Sequence, residues 1–247
     1  MTRRPVVIAL AACLWLALLA VPAPARDRAP SLRQLKQAVQ ENPQDPQNYF
    51  NLGLKYEILG KNKLAVNAFN QALKLKPDYP EALYELGRLK GEAGNSEQAV
   101  KDLKQALNLK PDYRAARTGL GGEYNQQGLD FIAQGQWDQA AGAFRESLEA
   151  NPDQGVKDAA RNNLGVALAS GGNYEAAREE FIKALQADPE SPNAHYNYGV
   201  TSLVTGNKTD AFGEYLILKQ LDPTAAGELS YLIFQNKIDT KRESLNK

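Results

Sequence analysis

Residues 48–77 read NYFNLGLKYEILGKNKLAVNAFNQALKLKP. Tyr49, Leu52 and Tyr56 recur at steps of three and four, the spacing of one face of a helix. Ala65, Phe69 and Ala72 repeat that pattern further on. Between the two runs stands Gly60, a residue suited to the left-handed backbone that closes a helix. Pro77 follows the second run and forbids its continuation. The stretch reads as two amphipathic helices folded into a hairpin.

The same pattern returns along the chain. Gly53, Gly87 and Gly121 are 34 residues apart, as are Gly60, Gly94 and Gly128. Near the C-terminus the period reappears in Gly165 and Gly199, Gly172 and Gly206, and Pro189 and Pro223. A hairpin repeated at fixed spacing marks an array in which neighbours bury each other's apolar faces.

The second unit carries Leu83, Leu86, Gly87, Gly94, Ala99, Leu103, Ala106 and Pro111, with Lys90 where Tyr56 stands in the first. The third carries Tyr124, Gly128, Phe131, Gly135, Ala140, Phe144 and Pro152. The fourth carries Leu164, Gly165, Gly172, Ala177, Phe181, Ala184 and Pro189, and the fifth His195, Tyr198, Gly199, Gly206, Ala211, Tyr215 and Pro223. This set resembles the tetratricopeptide repeat (TPR) signature W-x2-L-G-x2-Y…A-x3-F…P over about residues 46 to 223. The resemblance implies an all-α, right-handed superhelical solenoid of stacked helix-turn-helix hairpins. About five repeats are expected, at 46–79, 80–113, 114–154, 158–191 and 192–225.

Glycine inside a helix costs about 1 kcal/mol relative to alanine, so its recurrence needs compensation. The expected compensation at Gly53, Gly87, Gly165 and Gly199 is close approach of the paired helix, where Ala65, Ala99, Ala140, Ala177 and Ala211 stand at matching places. The Asn that follows three of the turn glycines, in Gly94-Asn95, Gly172-Asn173 and Gly206-Asn207, is expected to cap the second helix through its side-chain oxygen. Pro77, Pro111, Pro152, Pro189 and Pro223 are expected to stop those helices.

The ends and the breaks are also readable. Residues 26–45 hold a linker and a capping helix, with Leu32, Leu35, Ala38 and Val39 on one side. Residues 224–238 form a closing helix with Leu229, Leu232 and Ile233 inward, and 239–247 a flexible polar tail. Arg114 to Leu120 are seven extra residues. Two frames fit the third unit: Leu120, Gly121 and Tyr124, or Tyr124, Gly128 and Phe131. Seven residues are about two helical turns, so both frames turn one face inward, and a long helix from about Asp112 to Gln134 is expected. A loop insertion is the alternative, because Gly119, Gly121 and Gly122 weaken the helix. A three-residue insertion near Asp153 to Lys157 should alter how the fourth unit stacks on the third.

The first 25 residues read as a signal peptide. Arg3 and Arg4 precede sixteen apolar residues, Val6 to Val21, and Ala23 and Ala25 fit a cleavage site after Ala25. An uncleaved anchor is one alternative, although the run is shorter than the about 20 residues of a spanning helix. Acylation of Cys13 in Leu10-Ala-Ala-Cys is another, against which stands the apolar Leu14-Trp-Leu-Ala-Leu-Leu that follows. A twin-arginine reading of Thr2-Arg-Arg-Pro is weaker still, since no cofactor motif accompanies it. The expected location is periplasmic or secreted, with membrane anchoring as the alternative.

Basic and acidic residues are equal at 29 each, which argues against a nucleic-acid partner. Cys13 is the single cysteine and lies within the signal region, so the mature chain would have no disulfide, thiolate metal site or cysteine nucleophile. No P-loop, G-x-S-x-G elbow or H-E-x-x-H motif occurs. His195, the one histidine, stands at a packing place of the repeat and reads as a half-buried structural imidazole. Trp137, which opens a second helix, reads as core, and Asn207-Lys-Thr209 as a capping asparagine rather than a glycan acceptor. No cofactor and no enzymatic activity are expected.

The resemblance implies a concave binding face lined by the first helix of each repeat, at its second, fifth, ninth and twelfth places. In this sequence those places hold Phe50, Leu54, Glu81, Tyr84, Arg88, Asn125, Leu129, Asn162, Val166, Asn193, Tyr196 and Val200. Aromatic and Arg residues supply anchors, and Asn side chains can pair with a peptide backbone. The expected ligand is an extended segment or helix of a cell-envelope protein. Phe50 and Leu54 replace the Lys and Asn of the TPR subtype that clamps a C-terminal carboxylate, so that mode is excluded. A structural role between repeats is the competing reading of the apolar members.

Overall fold

The computed structural model describes residues 30–150 and 154–245. The signal region with Cys13, and Pro152 with Asp153, lie outside the described residues. Among the described residues the chain is a run of helices with no strand. It begins with α1 (Leu32–Glu41) and then forms five hairpins: α2 (Pro46–Ile58) with α3 (Asn62–Leu75), α4 (Pro80–Glu92) with α5 (Ser96–Leu109), α6 (Arg114–Ala133) with α7 (Trp137–Ala150), α8 (Gln154–Ser170) with α9 (Tyr174–Ala187), and α10 (Pro192–Val204) with α11 (Lys208–Leu221). It closes with α12 (Pro223–Leu245), which carries helical geometry into the polar stretch expected to fray.

Local signals set these ends. Ser31 and Gln34 form a reciprocal capping box at α1. Asp45 accepts from the Gln47 amide, and Pro46 occupies the first helical place of α2. Each hairpin turn places one glycine at positive φ, for example Gly94 at 81° and Gly172 at 84°. The asparagines behave differently from expectation. Asn207 caps α11 through its side chain, but Asn95 and Asn173 make no side-chain cap bond. Glycine geometry closes those turns without help from the amide. Pro223 also departs from its expected role. It opens α12 at the first helical place, and Asp222 accepts from the amides of Thr224 and Ala225.

Each helix packs on the one before and the one after it. In addition α4, α6, α8, α10 and α12 touch in succession, whereas the second helices do not touch one another to that degree. The first helices therefore form the inner, more closely spaced layer, as a right-handed superhelix of hairpins requires.

The mid-helix glycines receive a large side chain, which corrects the expected role of the alanines. A methyl group on Gly53 would lie 2.5 Å from the Phe69 ring, on Gly128 2.5 Å from Phe144, and on Gly165 2.4 Å from Phe181. Each ring stands sixteen residues beyond its glycine and is fully buried. Ala65, Ala99, Ala140, Ala177 and Ala211 are fully buried too, one turn before the ring or its equivalent. At Gly87 the filler is Leu103, and the Ala99 carbonyl is also close, at 3.2 Å from such a methyl. In the fifth hairpin Tyr215 stands at the ring's place but is only half-buried, beside Phe212. The closing helix supplies the filler instead: Leu229 would lie 2.6 Å from a methyl on Gly199.

Helix α6 uses both frames of the third unit. Its first half stacks on hairpin 2, with Ala116, Leu120 and Tyr124 clustered against Leu83, Leu103 and Ala106. Its second half pairs with α7, through Gly128 beneath Phe144. The buried Ser147 hydroxyl ties the two helices by donating to the Gly121 carbonyl at 2.7 Å. Hairpin 3 is thus displaced along α6 by seven residues, about 10 Å, relative to hairpin 2.

Two hairpins join their helices through a polar pair that includes a buried side chain. Lys90 of α4 pairs with the buried Asp102 of α5. His195 of α10 is buried, with Nδ1 against the Glu214 carboxylate of α11 and Nε2 2.8 Å from the Pro189 carbonyl. Both ring nitrogens are occupied inside the protein, and the imidazole is more buried than its place in the repeat suggested.

Candidate partner-binding groove

All twelve residues expected on the binding face lie on the inner-layer helices α2, α4, α6, α8 and α10. Leu129 and Asn193 are exposed, and the other ten are half-buried. Several of them also pack between repeats. The Phe50 ring sits 5.6 Å from that of Phe69 and 5.0 Å from that of Tyr79, and Tyr84 lies 5.2 Å from Tyr113. Leu54 packs on the core around Phe69, Val166 on that around Phe181, and Tyr196 and Val200 on that around Leu229. These side chains present one edge to the inner surface and lend the rest to the core.

The polar members are joined across helices. Arg88 of α4 bonds Glu57 of α2 and also Glu85 and Glu92 on its own helix. One guanidinium thus serves three carboxylates, and Glu81 is met by Lys110 at 3.3 Å. The electrostatic consequences agree in sign. Burial, with Glu57 and Glu92 adding to it and Arg88 opposing, pushes the Glu85 carboxyl above the usual carboxylate range. Burial, together with Glu81 and Glu85, pushes the Tyr113 phenol up to about 12. Burial and then Glu85 raise Tyr84 in the same way. The N-terminal half of the inner surface is therefore aromatic, with half-buried carboxylates linked to Arg88.

The C-terminal half carries amides. Asn163 of α8 donates to the Asn125 oxygen of α6 at 3.2 Å, and Asn197 of α10 donates to the Asn162 oxygen of α8 at 3.1 Å. These bonds engage the oxygens of Asn125 and Asn162 and leave their own amide protons directed elsewhere. Asn163 and Asn197 were missed in the sequence because each stands one residue past the place assigned to groove lining. Glu57 stands at a twelfth place and was legible in principle. Glu85 was not, since a carboxylate at a sixth place reads as solvated surface.

The inner surface thus combines aromatic edges, linked charges and paired amides. No group of three or more His, Cys, Asp or Glu suited to a metal occurs among the described residues, and none of their helices is long and apolar enough to cross a membrane.

Comparison with known proteins agrees with the fold. Models described as tetratricopeptide repeat match residues 80–113, 125–192 and 170–226, and one described as TPR repeat matches 55–94. The chain is 32% identical over 90 residues to a peroxisomal targeting signal receptor of Candida albicans. That match covers 36% of this chain and spans only 14% of the receptor. Among solved structures, YrrB, a TPR protein described as having an unusual peptide-binding site, superposes with a TM-score of 0.57 at 21% identity, over 81% of this chain and 100% of that one. MamA from Desulfovibrio magneticus RS-1 gives 0.51 at 20%, over 72% and 96%. PilF of Pseudomonas aeruginosa gives 0.50 at 20%, over 81% and 89%. At these identities the structural likeness speaks for the fold alone.

Proposed function

The chain belongs to the tetratricopeptide repeat family, and from that premise we propose that it is a non-catalytic scaffold of the cell envelope, holding a segment of a partner protein along its inner helical layer. The observation that carries the reading is the composition of that layer. Half-buried aromatics, cross-linked charges and paired amides share one continuous surface, and they suit main-chain and side-chain capture rather than bond breaking.

The envelope part of the proposal rests on residues 1–25, with cleavage after Ala25 and export as the leading reading. Intact-mass measurement of protein recovered from its native host tests it. A chain starting at Arg26 supports export and release. A chain retaining Met1, or carrying an acyl mass on Cys13, replaces release by tethering.

The scaffold part is tested by crosslinking in the native compartment, comparing the wild type with the Leu129→Glu variant. Leu129 is exposed, so the added charge alters the inner surface without touching the core. Loss of a specific crosslinked species in the variant supports the groove. An unchanged pattern removes it.

A further inference from the structure

The displaced third hairpin leaves a feature separate from the inner surface. Because α6 runs about two turns past the end of hairpin 2, its last residues stand as a wall beside the α4–α5 turn. Between wall and turn lies a cleft of about 450 Å³. On one side are Asn95, Ser96 and Glu97, and on the other Gln127, Asp130 and Phe131. Its volume falls within the range of small-ligand pockets, about 300–1,000 Å³.

The next junction shows what an ordinary stack does with this space. Trp137 opens α7 as Ser96 opens α5. Trp137 is half-buried there, and its Cβ lies 3.3 Å from where a methyl on Gly171, the residue just past α8, would be, so a large side chain stands at the end of the following first helix. At the α5–α6 junction the same place holds a serine, and the space stays open.

The lining has a definite chemistry. It contains two carboxylates, Glu97 and Asp130, several side-chain amides, and the partly buried ring of Phe131, with no Lys or Arg. Asp130 accepts one bond, from Gln126 at 3.0 Å through Oδ1. This lining favours a ligand that is cationic, rich in donors and able to lie against Phe131. A guanidinium meets all three conditions, whereas an ammonium meets the first two. We propose that this step cleft is a second binding site, which takes an arginine side chain of a partner protein. It lies apart from the inner surface and does not depend on the reading given to that surface.

The test is a 15N NMR titration of the full chain with the peptide Ac-Gly-Arg-Gly-NH2. Its citrulline analogue, isosteric and uncharged, serves as control. The arginine peptide should shift the backbone resonances of Ser96, Gln127 and Gln134 in a saturable way, and the citrulline peptide should bind roughly tenfold more weakly or worse. Ser96→Trp, which puts a large side chain into the cleft, should abolish the shifts. Asp130→Asn should weaken them by about tenfold while the remaining spectrum is unchanged. Tyr196→Ala, on the inner surface, should have no effect. Equal response to the two peptides, shifts centred on Asn162 instead of the step, or full binding by Ser96→Trp would each overturn the assignment.

Discussion

The ring of Phe144 occupies the space that any side chain on Gly128 would need: a methyl there would stand 2.5 Å from the ring carbons. The same relation joins Phe181 to Gly165 and Phe69 to Gly53. Gly165→Ala would gain about 1 kcal/mol of helix propensity. It would also force apart two packed helices at a typical cost of about 1–3 kcal/mol. The expected result is a net loss of stability in thermal unfolding. Gly165→Ala combined with Phe181→Leu should recover part of that loss, because the smaller side chain makes room.

Glycines without such a neighbour should respond with the opposite sign. Gly142 and Gly213 lie within helices, and a methyl at either would meet nothing within 4 Å. Gly142→Ala and Gly213→Ala should each raise stability by up to about 1 kcal/mol. Denaturant melts of the two sets, read side by side, separate packing from propensity.

The His195–Glu214 pair is buried, and each member is the other's partner. Glu214→Ala takes the partner from Nδ1 and leaves the ring on the Pro189 carbonyl alone, and His195→Ala strands the carboxylate. Leaving a buried hydrogen-bonding group without its partner costs about 1–3 kcal/mol. Hydrogen exchange should show the loss concentrated in α10–α12, with hairpins 1 and 2 little changed. Uniform loosening across the array would contradict it.

Glu85 predicts a pH dependence. Its carboxyl is raised above the ordinary value, chiefly by burial, so the native state holds a proton more tightly than the unfolded chain does. Stability contributed by that proton is present at acid pH and is lost as pH rises from the unfolded value through the raised one. Above that window the charged form is a net cost. Glu85→Gln should therefore be better tolerated at pH 7 than at pH 4, with Arg88 still held by Glu57 and Glu92. The check is the unfolding midpoint of wild type and variant across that interval.

Tyr84→Ala with Tyr196→Ala should weaken capture of a crosslinked partner. Both rings also pack within the array, so a lower melting temperature is expected alongside. Leu129→Glu, at an exposed place, should weaken capture without that loss of stability. Agreement between the two variants places the partner on the inner surface.

Much of this architecture was legible in the chain itself. Hairpins follow from periodic apolar residues and turn glycines, and the long α6 follows from an insertion of two whole turns. The role of the mid-helix glycines was only half legible. Their recurrence signals close approach, but nothing in a linear pattern says that a residue sixteen positions on provides the ring. The His195–Glu214 contact was hidden for a related reason, since Glu214 looks like any surface acid until α11 folds back on α10. The inner-surface amides show the limit most clearly. Asn125 and Asn162 were found by their place in the repeat, whereas Asn163 and Asn197 matter only because neighbouring helices bring them within reach.

The two-register use of α6 has a mechanical outcome. Arrays of this kind ordinarily unzip from an end, one hairpin at a time, since each leans only on its neighbour. Here a single rod is shared by both halves, bolted to one through Leu120 and to the other through Phe144. Unravelling that starts at either terminus must bend or melt this rod before it can pass the midpoint, so the centre of the molecule acts as a brake on its own disassembly.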